Sequence, residues 1–423
     1  MRVLVISRSP WRNDNNTGNT LTDFFKSFEG VEFYSLCMRE QSPQNDIAKR
    51  NFFISERQMF KHLLNRRTTV GSENFSDTIT DDSEKKFYNF AKKHTNTLLL
   101  VAREILWDIG KWKNSNLETY INEVNPDIIF CPVFGCYYPH KILKYIHQLT
   151  NAKIVLFHAD DNYTLKQFSL SPLYWLYRFG LRKWVRHSAS IADMHYCISS
   201  VQKKDYDQAF NCQCKLLTKS SDFSNDPPLK STPNSPLQLV FTGNININRW
   251  KSLAMLVDVL KSINEKQVIA ELKIYTATPL TKKIIKALNV PNASSIMGAV
   301  ASSEISRIQT DADILVHAEG LDLKNRLIVR QSFSTKIVDY FKAARPIIAV
   351  GPKEVASIKH LIDNDCAIVA DNRQELYEKL STILNDAEQL QSYAKRSYMC
   401  GRINHSSQQQ REMLQCDFVQ LLR

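Results

Sequence analysis

No run of apolar residues in this 423-residue chain approaches the roughly 20 needed to span a bilayer; the longest, 128–138 and 98–102, are far shorter. The opening Met-Arg-Val-Leu-Val-Ile-Ser is apolar over too few residues for a signal peptide. The expectation is a soluble, cytoplasmic protein, at most resting on the inner face of a membrane. No Cys-x-x-Cys pair occurs among the nine cysteines. Their odd number and scatter speak against a disulfide framework or zinc ribbon and for reduced thiols. No His/Cys/carboxylate cluster has metal-ligand spacing, so neither a metal nor another cofactor is expected. Asp-x-Asp strings at Asp205/Asp207, Asp311/Asp313 and Asp363/Asp365 arise readily by chance, and metal ligation at Asp311–Asp313 is rejected because the string leads into a buried strand. Gly-x-Gly-x-x-Gly and Gly-x4-Gly-Lys-Ser/Thr are both missing, which removes the standard phosphate loops. No repeat at a solenoid period is present.

What is there describes a folded protein. Hydrophobic residues make up 43% and charged residues 23%, the ordinary globular range. The length suits two or three domains. A net charge of +12 favours phosphate-bearing ligands, anionic membranes or nucleic acid. No nucleic-acid motif accompanies the charge, so nucleic acid is not an expected partner.

Along the chain, short aliphatic runs alternate with helical periodicity. Strands are expected at 2–7, 31–36, 127–131, 153–158 and 194–199, with helices at 138–148, 173–187 and 200–207. A polar loop at 8–20 precedes a helix starting near Leu21. Long helices rich in Lys and aromatics fill 38–118, interrupted by a polar stretch at 68–83. Four of the fourteen prolines fall between 222 and 236, and their fixed backbone reads as a linker. Beyond it, strands at 238–241, 272–275, 314–316, 347–350 and 367–369 alternate with helices at 251–264, 282–288, 303–309, 336–343, 355–363 and 373–385. Such alternation implies parallel βαβ units. The expected fold is α/β: two doubly wound Rossmann-like domains facing across a cleft, with a helical insertion in the first. The boundaries are 1–222 with the insertion at about 38–118, a linker at 223–236, a second domain at 237–400, and a C-terminal helix in 401–423 that packs back on the first domain.

Open parallel sheets bind ligands beyond the carboxyl ends of their strands. Ser332, Ser334 and Thr335 stand just before the helix expected from Lys336, which places hydroxyls and free backbone N–H groups at a helix N-terminus, an anion site. Lys336 adds a mobile positive charge, and Asp339 one turn on offers a carboxylate for ribose hydroxyls. An ordinary capped helix with a solvated lysine fits the same residues. After the first strand, Gly18 permits close backbone approach ahead of a helix; a plain surface turn is the other reading.

The stretch 330–351 resembles the nucleotide-sugar motif of GT-B glycosyltransferases, particularly the retaining family 4 type: "Ser-Lys-x-x-Glu-Tyr-x-x-Ala-Gly-x-Pro-Ile-x-Ala". Lys336, Tyr340, Ala343, Pro346, Ile347 and Ala349 fit, with Thr335 and Asp339 as close substitutes. Leu239-Val-Phe-Thr-Gly-Asn-Ile is similar to the opening strand and glycine of that family's second domain. Ile191-Ala-Asp-Met-His-Tyr-Cys-Ile-Ser-Ser is similar to the "Ala-Asp-x-x-x-x-x-Ser" near the end of its first. The strand from Asp311 to Glu319 resembles the one preceding the donor motif. Gln331 and Asp339 stand where the family often has Glu-x7-Glu, Asn244 replaces the arginine after Gly243, and Ala344 replaces a glycine.

The resemblance implies transfer of a sugar from a nucleoside-diphosphate donor to a glycan or lipid-linked acceptor, most plausibly in bacterial surface polysaccharide synthesis, retaining and metal-independent. It places the diphosphate and acceptor near Gly18, and the donor near Gly243 and the 332–339 segment. Arg249 or Lys251 would take over the missing arginine's phosphate role. It implies a donor-sugar contact from His158, with Asp160 orienting it or touching the acceptor; a merely hydrogen-bonded histidine is the other reading. Glu319, in the loop after the strand 314–316, reaches the donor sugar or serves as a cap. His158, Asp160, Arg249 and Lys336 are thus the catalytic candidates. Two alternatives stay open: a nucleotide-sugar epimerase or hydrolase on the same fold, and a silent nucleotide- or glycan-binding protein. The basic aromatic stretches 173–187, 85–93 and 57–67 read either as a face for an anionic membrane or as core packing with solvated cations.

Overall fold

The computed structural model describes residues 1–12, 16–26, 28–40, 42–73 and 97–423. Thirteen strands are seen among them. In the first part of the chain they are β1 (Arg2–Ser7), β2 (Glu32–Cys37), β3 (Ala48–Phe53), β4 (Ile128–Pro132), β5 (Lys153–His158), β6 (Met194–Cys197) and β7 (Lys215–Leu216). In the second they are β8 (Leu237–Thr242), β9 (Ala270–Tyr275), β10 (Ser294–Gly298), β11 (Ile314–Ala318), β12 (Ile347–Val350) and β13 (Ile368–Ala370).

They form two sheets, ordered β3-β2-β1-β4-β5-β6-β7 and β10-β9-β8-β11-β12-β13, with every strand pair parallel. Each chain segment starts at the middle of its sheet, winds outward, then returns to wind the other way. The winding therefore reverses between β1 and β4, and again between β8 and β11. Helices cover both faces, so the central strands are continuous apolar runs: Val3, Leu4, Val5 and Ile6 have no exposed surface.

The chain divides into two compact units, residues 1–217 with 411–423, and residues 218–410. One apolar core gathers around Leu4, Ile129, Trp107 and Tyr120. The other gathers around Leu239, Val316, Ile348 and Leu256. In the first unit the last helix lays Phe418 against Phe25 and Phe28. Its Asp417 accepts from the Tyr196 hydroxyl at 2.6 Å.

The segment expected to be wholly helical, 38–118, contains β3, paired parallel with β2, besides helices Glu56–Leu64, Thr97–Ile109 and Ser115–Val124. The stretch 85–93 and most of 68–83 lie outside the described residues. The helix expected from Leu21 begins earlier, at Asn16. The other unexpected elements are β7, β10, helix Leu323–Val329 and helix Ala387–Asn404. Among the described residues, no helix is long and apolar enough to cross a membrane.

Candidate active site

The reversal between β8 and β11 is where a doubly wound sheet opens a crevice at its carboxyl edge. In the second unit Gly243 follows β8 and Glu319 follows β11. Gly243 has φ 145°, and a Cβ built on it would stand 1.6 Å from Lys336 Nζ. The lysine therefore lies flat over the glycine backbone, which only the absence of a side chain allows.

The loop from Gly243 to the helix Arg249–Ile263 is strained. Ile247 and Asn248 both have positive φ, 59° and 56°, and for a β-branched residue this is an outlier of the kind that collects at binding sites. Asn248 occupies the N-cap position without capping the helix; its amide instead donates to Asp322 Oδ2 at 2.8 Å. The helix Lys336–Ala343 likewise has no side-chain cap from Thr335. Backbone carbonyls already accept the N–H groups of Arg249, Trp250, Lys251 and Ile337, so what each helix brings here is the positive end of its dipole.

Three charged side chains converge here. Arg249 grips Glu319 with two bonds, Nε to Oε2 at 3.0 Å and Nη2 to Oε1 at 3.1 Å, and donates a third to Asn244 Oδ1 at 2.8 Å. Glu319 is 2% exposed, and burial raises its pKa against the pull of Arg249 and Lys336. Burial, then repulsion from Arg249, pushes Lys336 down to about 8. His317, 3.5 Å from Glu319, is pushed down to about 3 by burial, Arg249 and Lys336, so it is neutral at physiological pH.

Of the remaining residues singled out from sequence, Ser332 and Ser334 are half-buried and Thr335 is exposed beside Lys336. Asp339 is ion-paired with Lys219 at 2.6 Å, a partner 120 residues earlier. Lys251 is exposed on the first turn of its helix, its Nζ 5.8 Å from the Trp250 ring centre. The structure therefore brings Gly243, Arg249, Glu319 and Lys336 together and leaves Lys251 at the margin.

The others lie in the first unit. His158 ends β5 with no exposed surface, its Nε2 3.3 Å from His195 Nδ1. Burial and His195 hold its pKa well below the usual value. Asp160 is exposed, two residues on. Its neighbour Asp161 is the buried carboxylate, bonded to Arg178 at 3.0 Å. Gly18 sits in the first turn of helix Asn16–Phe25, where a Cβ would meet the Arg12 carbonyl oxygen at 1.9 Å, so the glycine serves a close packing of backbone on backbone. Arg8 was not singled out on its own. It leaves β1 at this unit's reversal point, donates from Nε to the Tyr138 hydroxyl at 3.0 Å, and could have been found from its position directly after the strand.

Among the described residues, Asp207, Cys212 and Cys214 bring one ligand atom each within 4.8 Å of one another, although their linear spacing matches no metal motif.

Residues 236–386 match the model of a family described as glycosyl transferases group 1. The match spans the whole sheet of the second unit, from β8 to β13. No curated protein sequence matches the chain. Solved structures do: sucrose-phosphate synthase from Thermosynechococcus elongatus superposes with TM-score 0.65 at 10% identity, over 99% of this chain and 98% of that one. HepE of Anabaena in complex with UDP gives 0.65 at 13%, over 99% and 100%. A glycosyltransferase from Rickettsia africae gives 0.59 at 11%, over 100% and 99%. Likeness at such low identity establishes the fold alone, two doubly wound domains of the GT-B class.

Proposed function

We propose that this chain transfers a sugar from a nucleoside-diphosphate donor, UDP-linked in the first instance, to a glycan or lipid-linked acceptor. The observation that carries the reading is Lys336 laid over Gly243 at the sheet's reversal point. It stands beside Arg249 on a helix N-terminus free of side-chain capping, inside the segment that matches the group 1 glycosyltransferase model. A diphosphate meeting that surface gains two cations and the positive ends of two helix dipoles where charge develops as it departs. HepE, which shares the fold, has been solved with UDP and with UDP-glucose, and this supports UDP as the base to try first. Retention of configuration and independence from metal belong to the proposal: the departing phosphate accepts the acceptor's proton, and the cations supply the charge.

The acceptor side is proposed to work at an anionic membrane, in bacterial surface polysaccharide synthesis, with the protein cytoplasmic. In the first unit the helices Glu56–Leu64, Thr97–Ile109 and Pro172–Ser190 pack side by side and leave large apolar side chains in solvent. Leu64 is 76%, Leu98 61% and Leu176 69% exposed. Arg66, Arg67, Arg182 and Lys183 lie in or beside the same helices. Apolar side chains amid cations suit a headgroup layer.

The test is UDP binding followed by transfer from UDP-glucose to extracted lipid-linked acceptors. Lys336→Ala removes a charge-assisted contact worth roughly 1.5–3 kcal/mol, and unchanged UDP affinity in that folded variant sinks the donor-site assignment. A silent binding protein is the second reading, favoured by the commitment of Arg249 to Glu319; it predicts UDP binding without turnover under any acceptor. Vesicles containing phosphatidylglycerol should retain the protein in sedimentation, and loss of retention in Leu98→Glu/Leu176→Glu would assign the face.

A further inference from the structure

The first unit holds a separate cluster of soft ligand atoms. Helix Ser200–Phe210 carries Asp207 on its last turn, and Asn211 ends it in the left-handed conformation, φ 52°. That reversal folds the chain back along the helix. The Cys212 N–H then donates to the Asp207 carbonyl at 3.2 Å, and the Cys214 N–H to Asp207 Oδ1 at 2.6 Å. The Sγ atoms of Cys212 and Cys214 come to 3.6 Å of each other. A third thiol, the buried Cys197 at the end of β6, lies close enough to Cys214 to raise its pKa. Lys203 Nζ closes the cluster, 2.6 Å from Asp207 Oδ2 and 2.6 Å from the Cys214 carbonyl.

We propose that Asp207, Cys212 and Cys214 bind a soft divalent cation of the zinc type, which ties helix Ser200–Phe210 to the edge strand β7. Tetrahedral zinc with Zn–S bonds of about 2.3 Å sets two thiolate sulfurs about 3.8 Å apart, close to the spacing found, whereas a disulfide requires about 2.05 Å. Charge agrees with geometry. Two thiolates and a carboxylate bring three negative charges; Lys203 returns one and a divalent cation the other two, which a partly buried set requires. On binding, the two thiol protons leave to solvent. Neither cysteine belongs to the donor site, so donor binding does not depend on this cation.

Protein equilibrated with zinc and freed of excess should hold about one zinc per chain and melt higher than the chelator-treated protein. Cobalt in its place should give the near-ultraviolet thiolate-to-cobalt absorption and the strong visible bands of a tetrahedral ion. Cys212→Ser/Cys214→Ser should lose both signals, and Asp207→Asn should weaken the binding with both thiols kept. Should the double variant fold poorly, the cobalt spectrum of the unaltered protein decides alone. Absence of retained zinc and of the cobalt absorption in folded protein overturns the proposal. So does a mass spectrum of freshly purified protein with Cys212 and Cys214 joined as a disulfide.

Discussion

The ammonium of Lys336 occupies the space that a side chain on Gly243 would need, with a built Cβ 1.6 Å from Nζ and 2.6 Å from Cε. Gly243→Ala is therefore expected to act twice. Its φ of 145° is strained for any residue with a Cβ, at about 1–3 kcal/mol. The new methyl also swings the lysine off the backbone, and since lysine is flexible this part falls on ligand binding more than on folding. UDP affinity measured by calorimetry should drop as far as it does in Lys336→Ala. Affinity equal to the parent's would mean that the position of Lys336 over the glycine does not matter.

Lys336 titrates at about 8 in the folded chain, held down by burial and by Arg249, against about 10.4 for a free lysine. Below about pH 8 the amine is charged in both folded and unfolded chains, and the cost of burying the charge is fully present. Between about pH 8 and 10.4 the unfolded chain keeps a proton that the folded chain has released, so stability gains from this group as pH rises. Nucleotide affinity should run the other way, falling above about pH 8 as the charge is lost, with proton uptake on binding. Arg249, Glu319 and Asp339 face the same amine, so the comparison must be with Lys336→Met, which should lose both dependences. Calorimetry in buffers of different ionisation heat reads the proton directly.

The central strands of both sheets were legible because burial on two faces forces continuous apolar runs such as Val3–Ile6. The three strands that escaped, β3, β7 and β10, are sheet edges. There Lys49, Arg50 and Ser295 face solvent and dilute the pattern, as edges that avoid further pairing do. The candidate segment was legible through Lys336 and its neighbours, and Ala344, at the glycine position of the motif it resembles, adopts the left-handed conformation, φ 51°, which glycine takes without strain. What could not be read was pairing over distance. Lys219 on Asp339 and Arg249 on Glu319 depend on where strands end in space. The meeting of Asp207 with Cys212 and Cys214 depends on one left-handed residue, Asn211, that no spacing rule registers.

The Arg249–Glu319 pair sets stability against binding. Glu319 is buried and holds two guanidinium nitrogens, so Glu319→Gln leaves a partly buried cation without its counter-charge. Breaking a buried pair from one side costs about 3–5 kcal/mol; Arg249 keeps some solvent contact, so the lower end is expected. The same change removes the negative charge nearest the phosphate surface. UDP affinity should therefore rise while the melting temperature falls. A variant that loses both would show that Glu319 itself holds the ligand.

The C-terminal helix of the first unit depends on one carboxylate. Asp417, 3% exposed, accepts from the Tyr196 hydroxyl at 2.6 Å and from Lys215 Nζ at 2.5 Å. Burial and this bond push the tyrosine pKa up. Asp417→Ala leaves a buried hydroxyl with no acceptor, a loss of about 1–3 kcal/mol. Tyr196→Phe in the Asp417→Ala background removes the orphaned group and should recover part of that loss, because an apolar pair is cheaper than half a hydrogen bond. Urea denaturation of the four proteins of this cycle gives the coupling energy. If the second substitution recovers nothing, the carboxylate acts through Lys215 and β7, and Lys215→Met should then reproduce the Asp417→Ala loss on its own.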